Sequence, residues 1–298
     1  MIHQFIRASL ALCTVLILSA SVHAEKMNLP FGMTTDHLNL VLSINDEAKV
    51  HEFYGEVLGL KRIPNLVFPG NMHMVRYMGG KTEIKFIVTN QDLPEEEGGT
   101  KTARGIRLMA IFLPDTEKSA ITKRLKEKGY EVPSFTSGPT YQYGMTYDAE
   151  GNQVELVFFD NTTDTEKFKG FQIGLTVSDA DAMNKFLSNI IGLEKIREIT
   201  TDSGLQVHYY GMGHSGVKFW EGKDDLPAWV GGPFDVRGMN LVQFLVPNVD
   251  AVRAKVLERG GHIHTEPFAL GKMATIMFVD GPDGILFEFA GPLLDRLK

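Results

Sequence analysis

Residues 44–60, "INDEAKVHEFYGEVLGL", and residues 177–193, "VSDADAMNKFLSNIIGL", are two versions of one pattern. Asp46 matches Asp179, Phe53 matches Phe186, and Gly59-Leu60 matches Gly192-Leu193, all at an offset of 133. In the first copy Val50, Phe53, Tyr54, Val57 and Leu58 recur at amphipathic-helix spacing,. Gly59 suits a helix stop. The runs that lead into the two copies, "LNLVLSIND" and "FQIGLTVSD", alternate as strands do,.

The same offset holds outward from there. Tyr77 meets Tyr210, Gly80 meets Gly213, and Lys85-Phe86 meets Lys218-Phe219. "DLP" recurs at 92–94 and 225–227, and Arg104-Gly105 meets Arg237-Gly238. Pro114 meets Pro247, Gly151 meets Gly284, and Glu155 meets Glu288. A fixed repeat marks a duplicated structural unit. The sequence therefore predicts two halves, 33–160 and 171–292, joined by a polar linker at 161–170. Each half repeats a shorter order, in which a strand is followed by a helix and two or three further strands. "IRLMAIFLP", "DTEKSAITKRLKEKG" and "QVELVFF" give it in the first half. "MNLVQFLVPN" and "VDAVRAKVLERG" open it in the second.

The 298-residue chain carries a net charge of −7 and no basic tract, which argues against a nucleic-acid partner,. Residues 1–24 read as a secretory signal peptide: a weakly basic start, the apolar run "ASLALCTVLILSA", and small residues ending at Ala24,. That run is shorter than the roughly 20 residues of a membrane span. Leu12 before Cys13 does not fit a lipoprotein box. Cys13 is the only cysteine, so the mature chain has no disulfide, thiolate ligand or cysteine nucleophile,. A cysteine-free chain suits an oxidising compartment. The expectation is a secreted or periplasmic protein with no membrane contact after signal removal.

"INDEAKVHEFYGEVLGL", "LTVSDADAMNKFLSNIIGL", "DAEGNQVELV" and "GPDGILFEFAGP" resemble the vicinal oxygen chelate superfamily, which includes glyoxalase I, extradiol dioxygenases and bleomycin-resistance proteins. The resemblance covers both halves. It implies an α+β fold of tandem duplicated domains, each made of two βαβββ modules that curl a mixed sheet into a cup. It also implies a small-molecule ligand or substrate inside the cup, and in the enzymes a divalent metal. Fold does not fix function, so a binder and a metal-dependent lyase, isomerase or extradiol-type dioxygenase both stay open.

Family metal ligands come from the first strand and the last strand of each module. Counting back from Asp46, Asp179, Asp115 and Asn248 places the first-strand positions at Asn39, Gln172, Leu108 and Leu241. The last-strand positions are Lys85, Glu155, Lys218 and Glu288. An ammonium is a donor only and repels a cation, and leucine offers no ligand. The expectation is no metal or other cofactor. Lys85 would pair with Glu155 and Lys218 with Glu288 across each cup floor, because buried charges need partners. Two alternatives stand beside this. One is acid–base or anion-binding work by those four residues. The other is a divalent metal held by His37, Glu155, Gln172 and Glu288, since His37 shares a strand face with Asn39. Further histidines stand at 208, 214, 262 and 264. Ligand-contact candidates are Asn39, Gln172, Arg104, Arg237, Tyr141, Tyr143, Met74 and His208. Tyr141, Tyr143, Met72 and Met74 are expected around the first half's cup.

Overall fold

The computed structural model describes residues 29–34, 36–68, 72–89, 91–94, 99–160, 170–201, 203–223, 225–228 and 232–294. The expected signal peptide and nearly all of the linker lie outside these residues. Four βαβββ modules follow one another. The first has β1 (Leu38–Ile44), α1 (Glu47–Val50), β2 (Lys61–Val67), β3 (His73–Gly79) and β4 (Thr82–Val88). The second has β5 (Gly105–Pro114), α2 (Lys118–Glu127), β6 (Thr136–Ser137), β7 (Tyr141–Tyr147) and β8 (Gln153–Phe159). The third has β9 (Phe171–Val177), α3 (Ala180–Lys185), β10 (Glu194–Thr200), β11 (Gln206–Met212) and β12 (Ser215–Glu221). The fourth has β13 (Gly238–Leu245), α4 (Val249–Glu258), β14 (His262–Leu270), β15 (Ala274–Asp280) and β16 (Leu286–Gly291).

The repeated aspartates have a local job. Asp46 Oδ1 accepts the backbone N–H of Ala48 and Lys49, at 3.0 and 3.2 Å. Asp179 accepts that of Ala182 at 2.8 Å. Each satisfies orphan donors at a helix start. The odd-numbered helices then widen into π-helical stretches, His51–Val57 and Phe186–Ile191. Leu58 N–H reaches Phe53 O and Gly192 N–H reaches Leu187 O, each five residues back and at 2.9 Å,. Gly59 (φ 72°) and Gly192 (φ 90°) then leave by the left-handed region that glycine takes at low cost,.

Strand pairing departs from the sequence expectation. One sheet runs β14-β15-β16-β13-β1-β4-β3-β2 and the other β10-β11-β12-β9-β5-β8-β7-β6. The first module thus joins the fourth, and the second joins the third. Neither sequence half closes a cup by itself. The joins are antiparallel, β1 to β13 and β5 to β9. Repeat-equivalent residues meet across a pseudo-two-fold axis. Arg104 N–H bonds Pro227 O and Arg237 N–H bonds Pro94 O, both at 2.9 Å. The hydroxyls of Thr82 and Ser215, 133 residues apart, touch at 2.9 Å. The helices cover one face of each sheet, over a core that includes Leu40, Phe86, Val242 and Phe287 from the first sheet and Leu175, Phe219, Ile111 and Leu156 from the second. The opposite faces form the two cups.

Candidate functional site

Strand alternation decides what faces each cup. On β1, Leu38, Leu40, Leu42 and Ile44 enter the helix-side core. Asn39, Val41 and Ser43 therefore turn into the first cup. By the same rule β4 supplies Glu83, Lys85 and Ile87, β13 supplies Leu241 and Gln243, and β16 supplies Leu286, Glu288 and Ala290.

The first cup's floor is a hydrogen-bonded row. Asn39 lies opposite Gln243, and Gln243 beside Glu288. Gln243 Oε1 accepts from Lys85 Nζ at 2.6 Å and from Asn39 Nδ2 at 2.8 Å. With its oxygen so engaged, the amide turns Nε2 toward Glu288 and donates to Oε1 at 2.9 Å. Lys85 Nζ also lies 3.6 Å from Glu83, which is held by Arg76 Nη1 at 3.0 Å. All four floor residues are buried. Burial pushes the Glu288 carboxyl up, against the Gln243 hydrogen bond and the Lys85 charge. Burial pulls the Lys85 ammonium down, opposed mainly by Glu83 and then by Glu288. Among the described residues no cationic side chain comes within 4.0 Å of Glu288.

The second cup is wired differently. Its floor has Gln172 opposite Ala110, with Lys218 and Glu155 on the flanking strands. Lys218 Nζ donates directly to Glu155 Oε2 at 2.6 Å, and both side chains are fully buried. Glu155 Oε1 and Gln172 Oε1 have no partner among the described residues. A layer of large apolar and aromatic side chains shares this cup with the pair. Leu108, Phe112, Tyr141, Tyr143, Tyr209 and Trp220 belong to one buried cluster. The Trp220 ring closes on Gly174, where an added Cβ would come within 2.9 Å of it.

The expected ion pairs are therefore exchanged: Lys218 pairs with Glu155, not Glu288, and Lys85 reaches Gln243, not Glu155. The cause is the module exchange between halves. Leu108 and Leu241 face their cups, but the residues opposite Gln172 and Asn39 are Ala110 and Gln243, two positions further on. Met74 lines the first cup, whereas Tyr141 and Tyr143 line the second. His208 points out of both cups. It stacks on the helix-side ring of Phe219 at 4.7 Å, and its Nδ1 sits 3.0 Å from Glu198. Arg104 and Arg237 bind acids at the junction, Asp283 at 3.4 Å and Glu150 at 3.5 Å. The fallback metal set is divided, with His37 and Glu288 in the first cup and Glu155 and Gln172 in the second. The donors do not suit a divalent cation in either cup, because a lysine ammonium occupies a ligand place in each. Sequence reasoning missed Gln243, Glu83 and Arg76. The one available signal was a glutamine inside the apolar run "LVQFLV".

Beyond the polar floor, where the strands of the first cup end, a solvent-open depression of about 480 Å³ lies among Gly32, Leu245, Val246, Pro247, Gly291 and Pro292. It is walled by Leu245, Met273, Ala274 and Ala290, with His37 and Thr34 on the side of the incoming chain. His37 Nδ1 is engaged by the Thr34 hydroxyl. The segment that carries them is pinned by Phe31, whose ring meets Phe289 edge-on at 5.7 Å.

A family model described as Glyoxalase/Bleomycin resistance protein/Dioxygenase superfamily matches residues 171–289. No curated protein matches the chain by sequence. Among solved structures, glyoxalase I from Zea mays superposes with a TM-score of 0.71 at 17% identity, covering 87% of this chain and 92% of its own. A putative dioxygenase from Bacillus subtilis subsp. subtilis str. 168 superposes at 0.64 and 16% identity, covering 87% of this chain and 86% of its own. Residues 171–289 belong to that superfamily. The two-sheet architecture is its tandem vicinal oxygen chelate fold.

Proposed function

We propose that the protein is an exported, metal-independent binder of a small organic molecule, and that the ligand sits in the first cup. One observation carries this reading. Of two cups built from equivalent strands, the first combines a polar floor with a depression of ligand size at its strand ends, while the second carries a buried aromatic cluster over its ion pair,. A few convergent polar groups beside an apolar pocket are the usual makeup of a small-molecule site. The floor chemistry favours binding over metal-dependent lyase, isomerase or dioxygenase chemistry, since Lys85 stands where a cation would need a ligand.

A fragment panel read by thermal shift on the mature protein tests the reading. Ala290→Phe should fill the cavity and remove the hits. Hits that persist in Ala290→Phe would place the ligand elsewhere and overturn the first-cup assignment. Export has its own measurement: the mature protein should begin at Glu25 by mass spectrometry, and an intact Met1 would refute signal cleavage.

A further inference from the structure

We infer that the first cup takes an organic cation, a protonated amine on an apolar body, with Glu288 as its counter-charge. The inference rests on the first-cup reading above. It starts from a difference between equivalent residues. Glu155 and Glu288 occupy the same repeat position, and so do Lys218 and Lys85. In the second cup the ammonium reaches the carboxylate directly at 2.6 Å. In the first cup Gln243 stands where the second has Ala110. Its amide intercepts Lys85 and passes only a neutral N–H on to Glu288.

Glu288 is thus a buried carboxyl whose built-in cation has been drawn away. A buried charge without a partner is costly, and burial already pushes this carboxyl up. The Lys85 charge acts on it only from a distance, and among the described residues no group around it makes a direct ion pair with it. Gln243 lies beside it on β13 and Phe278 opposite it on β15. Lys85 is engaged by Gln243 and Glu83, and Arg76 by Glu83. His37 lies a row away and is bonded to Thr34.

The depression at the strand ends is the nearest open space to Glu288 along β16. Ala290, the next cup-facing residue of β16, lines it. Two residues of strand separate Ala290 from Glu288, roughly 7 Å. Among the described residues the cavity wall contains no Lys, Arg, Asp or Glu, and His37 is its one titratable side chain. The ligand's body is therefore apolar there, and its charge belongs at the Glu288 end.

Three compounds with one skeleton test this: 3-phenylpropylamine, 3-phenylpropanol and 3-phenylpropanoate, titrated calorimetrically into the mature protein. The amine should bind at least about tenfold tighter than the alcohol, as expected for a charge-assisted hydrogen bond, and the acid should bind weakest. Glu288→Gln should bring the amine to within about twofold of the alcohol while alcohol binding is retained, which also shows that the variant folds. Ala290→Phe should weaken all three. No amine binding, an alcohol or acid that binds tighter than the amine, or an amine preference that survives Glu288→Gln overturns the inference. Binding of all three that ignores Ala290→Phe overturns the first-cup reading itself.

Discussion

The two cups come from the same duplicated strands and end as different objects. In the second, a buried aromatic cluster shares the cup with a fully buried Lys218–Glu155 pair. In the first, one glutamine is shared among Asn39, Lys85 and Glu288, and space remains beside the row. The difference turns on a few substitutions at equivalent positions. Gln243 stands for Ala110, Ile87 for Trp220, and Ala274 for Tyr141. Ala274 borders the open depression, whereas its counterpart Tyr141 is buried in the second cup's aromatic cluster, and Ile87 packs in an aliphatic cluster where Trp220 packs in an aromatic one. The first exchange turns a direct ion pair into a relayed one. Duplication kept the charges, and their neighbours decided what the charges do.

The largest expected effect lies in the sealed cup. Lys218→Met leaves Glu155 buried without its cation and should cost about 3–5 kcal/mol in denaturant unfolding. The double variant Lys218→Met/Glu155→Gln should be milder than the single one, because no lone charge remains. A neutral Lys218→Met would mean that the two cups do not differ in kind.

Removing the relay sharpens the contrast from the other side. Gln243→Ala takes a hydrogen-bond partner from Asn39, Lys85 and Glu288 together. It should cost about 1–3 kcal/mol in the same unfolding measurement. It should also let Lys85 approach Glu288 as Lys218 approaches Glu155, visible as a short Nζ–carboxylate contact in a crystal structure of the variant.

A smaller, pH-dependent effect belongs to Glu288. Its carboxyl is raised from 4.5 in the folded state by burial. The folded protein therefore holds this proton more tightly than the unfolded chain. The associated stability is complete below 4.5 and is lost as pH climbs through the folded value,. Glu288→Gln removes that loss. The variant's stability relative to the wild type should rise with pH from about 4.5 upward and then level off. A flat difference across that range would show the carboxyl ionised without penalty. The smallest expected effect is none: exhaustive chelation should leave the melting temperature unchanged, and elemental analysis should find no stoichiometric divalent metal. A metal that survives dialysis would contradict the donor argument for both cups.

Much of the fold was legible in the chain. The offset of 133 marked the repeat, and the helical spacing of Val50, Phe53, Tyr54, Val57 and Leu58 and the Gly59 stop are local signals, written within a few residues of where they act. Even the inward direction of Lys85 and Lys218 follows from strand alternation. The site was less legible. A two-residue slip keeps every side chain on the same face, so the pattern could not separate Gln243 from Leu241 or Ala110 from Leu108. His208 shows the complementary error: no residue near it in sequence announces that β11 turns it onto Phe219 on the helix side.

The sequence by itself determined four βαβββ modules, their helix boundaries and the charged residues on their last strands. These depend on periodicity and glycine stops, which act between near neighbours. Only the tertiary structure decided which module meets which. Backbone N–H and C=O groups along a strand edge are the same in every module, so β1 can satisfy its ladder with β5 or with β13 equally well in principle. The choice of β13 brought Gln243 and Glu288 to Lys85, and the choice of β5 by β9 brought Glu155 to Lys218. Whether a lysine meets a carboxylate or an amide therefore rests on contacts between residues far apart in the chain: 63 positions separate Lys218 from Glu155, and 158 separate Lys85 from Gln243.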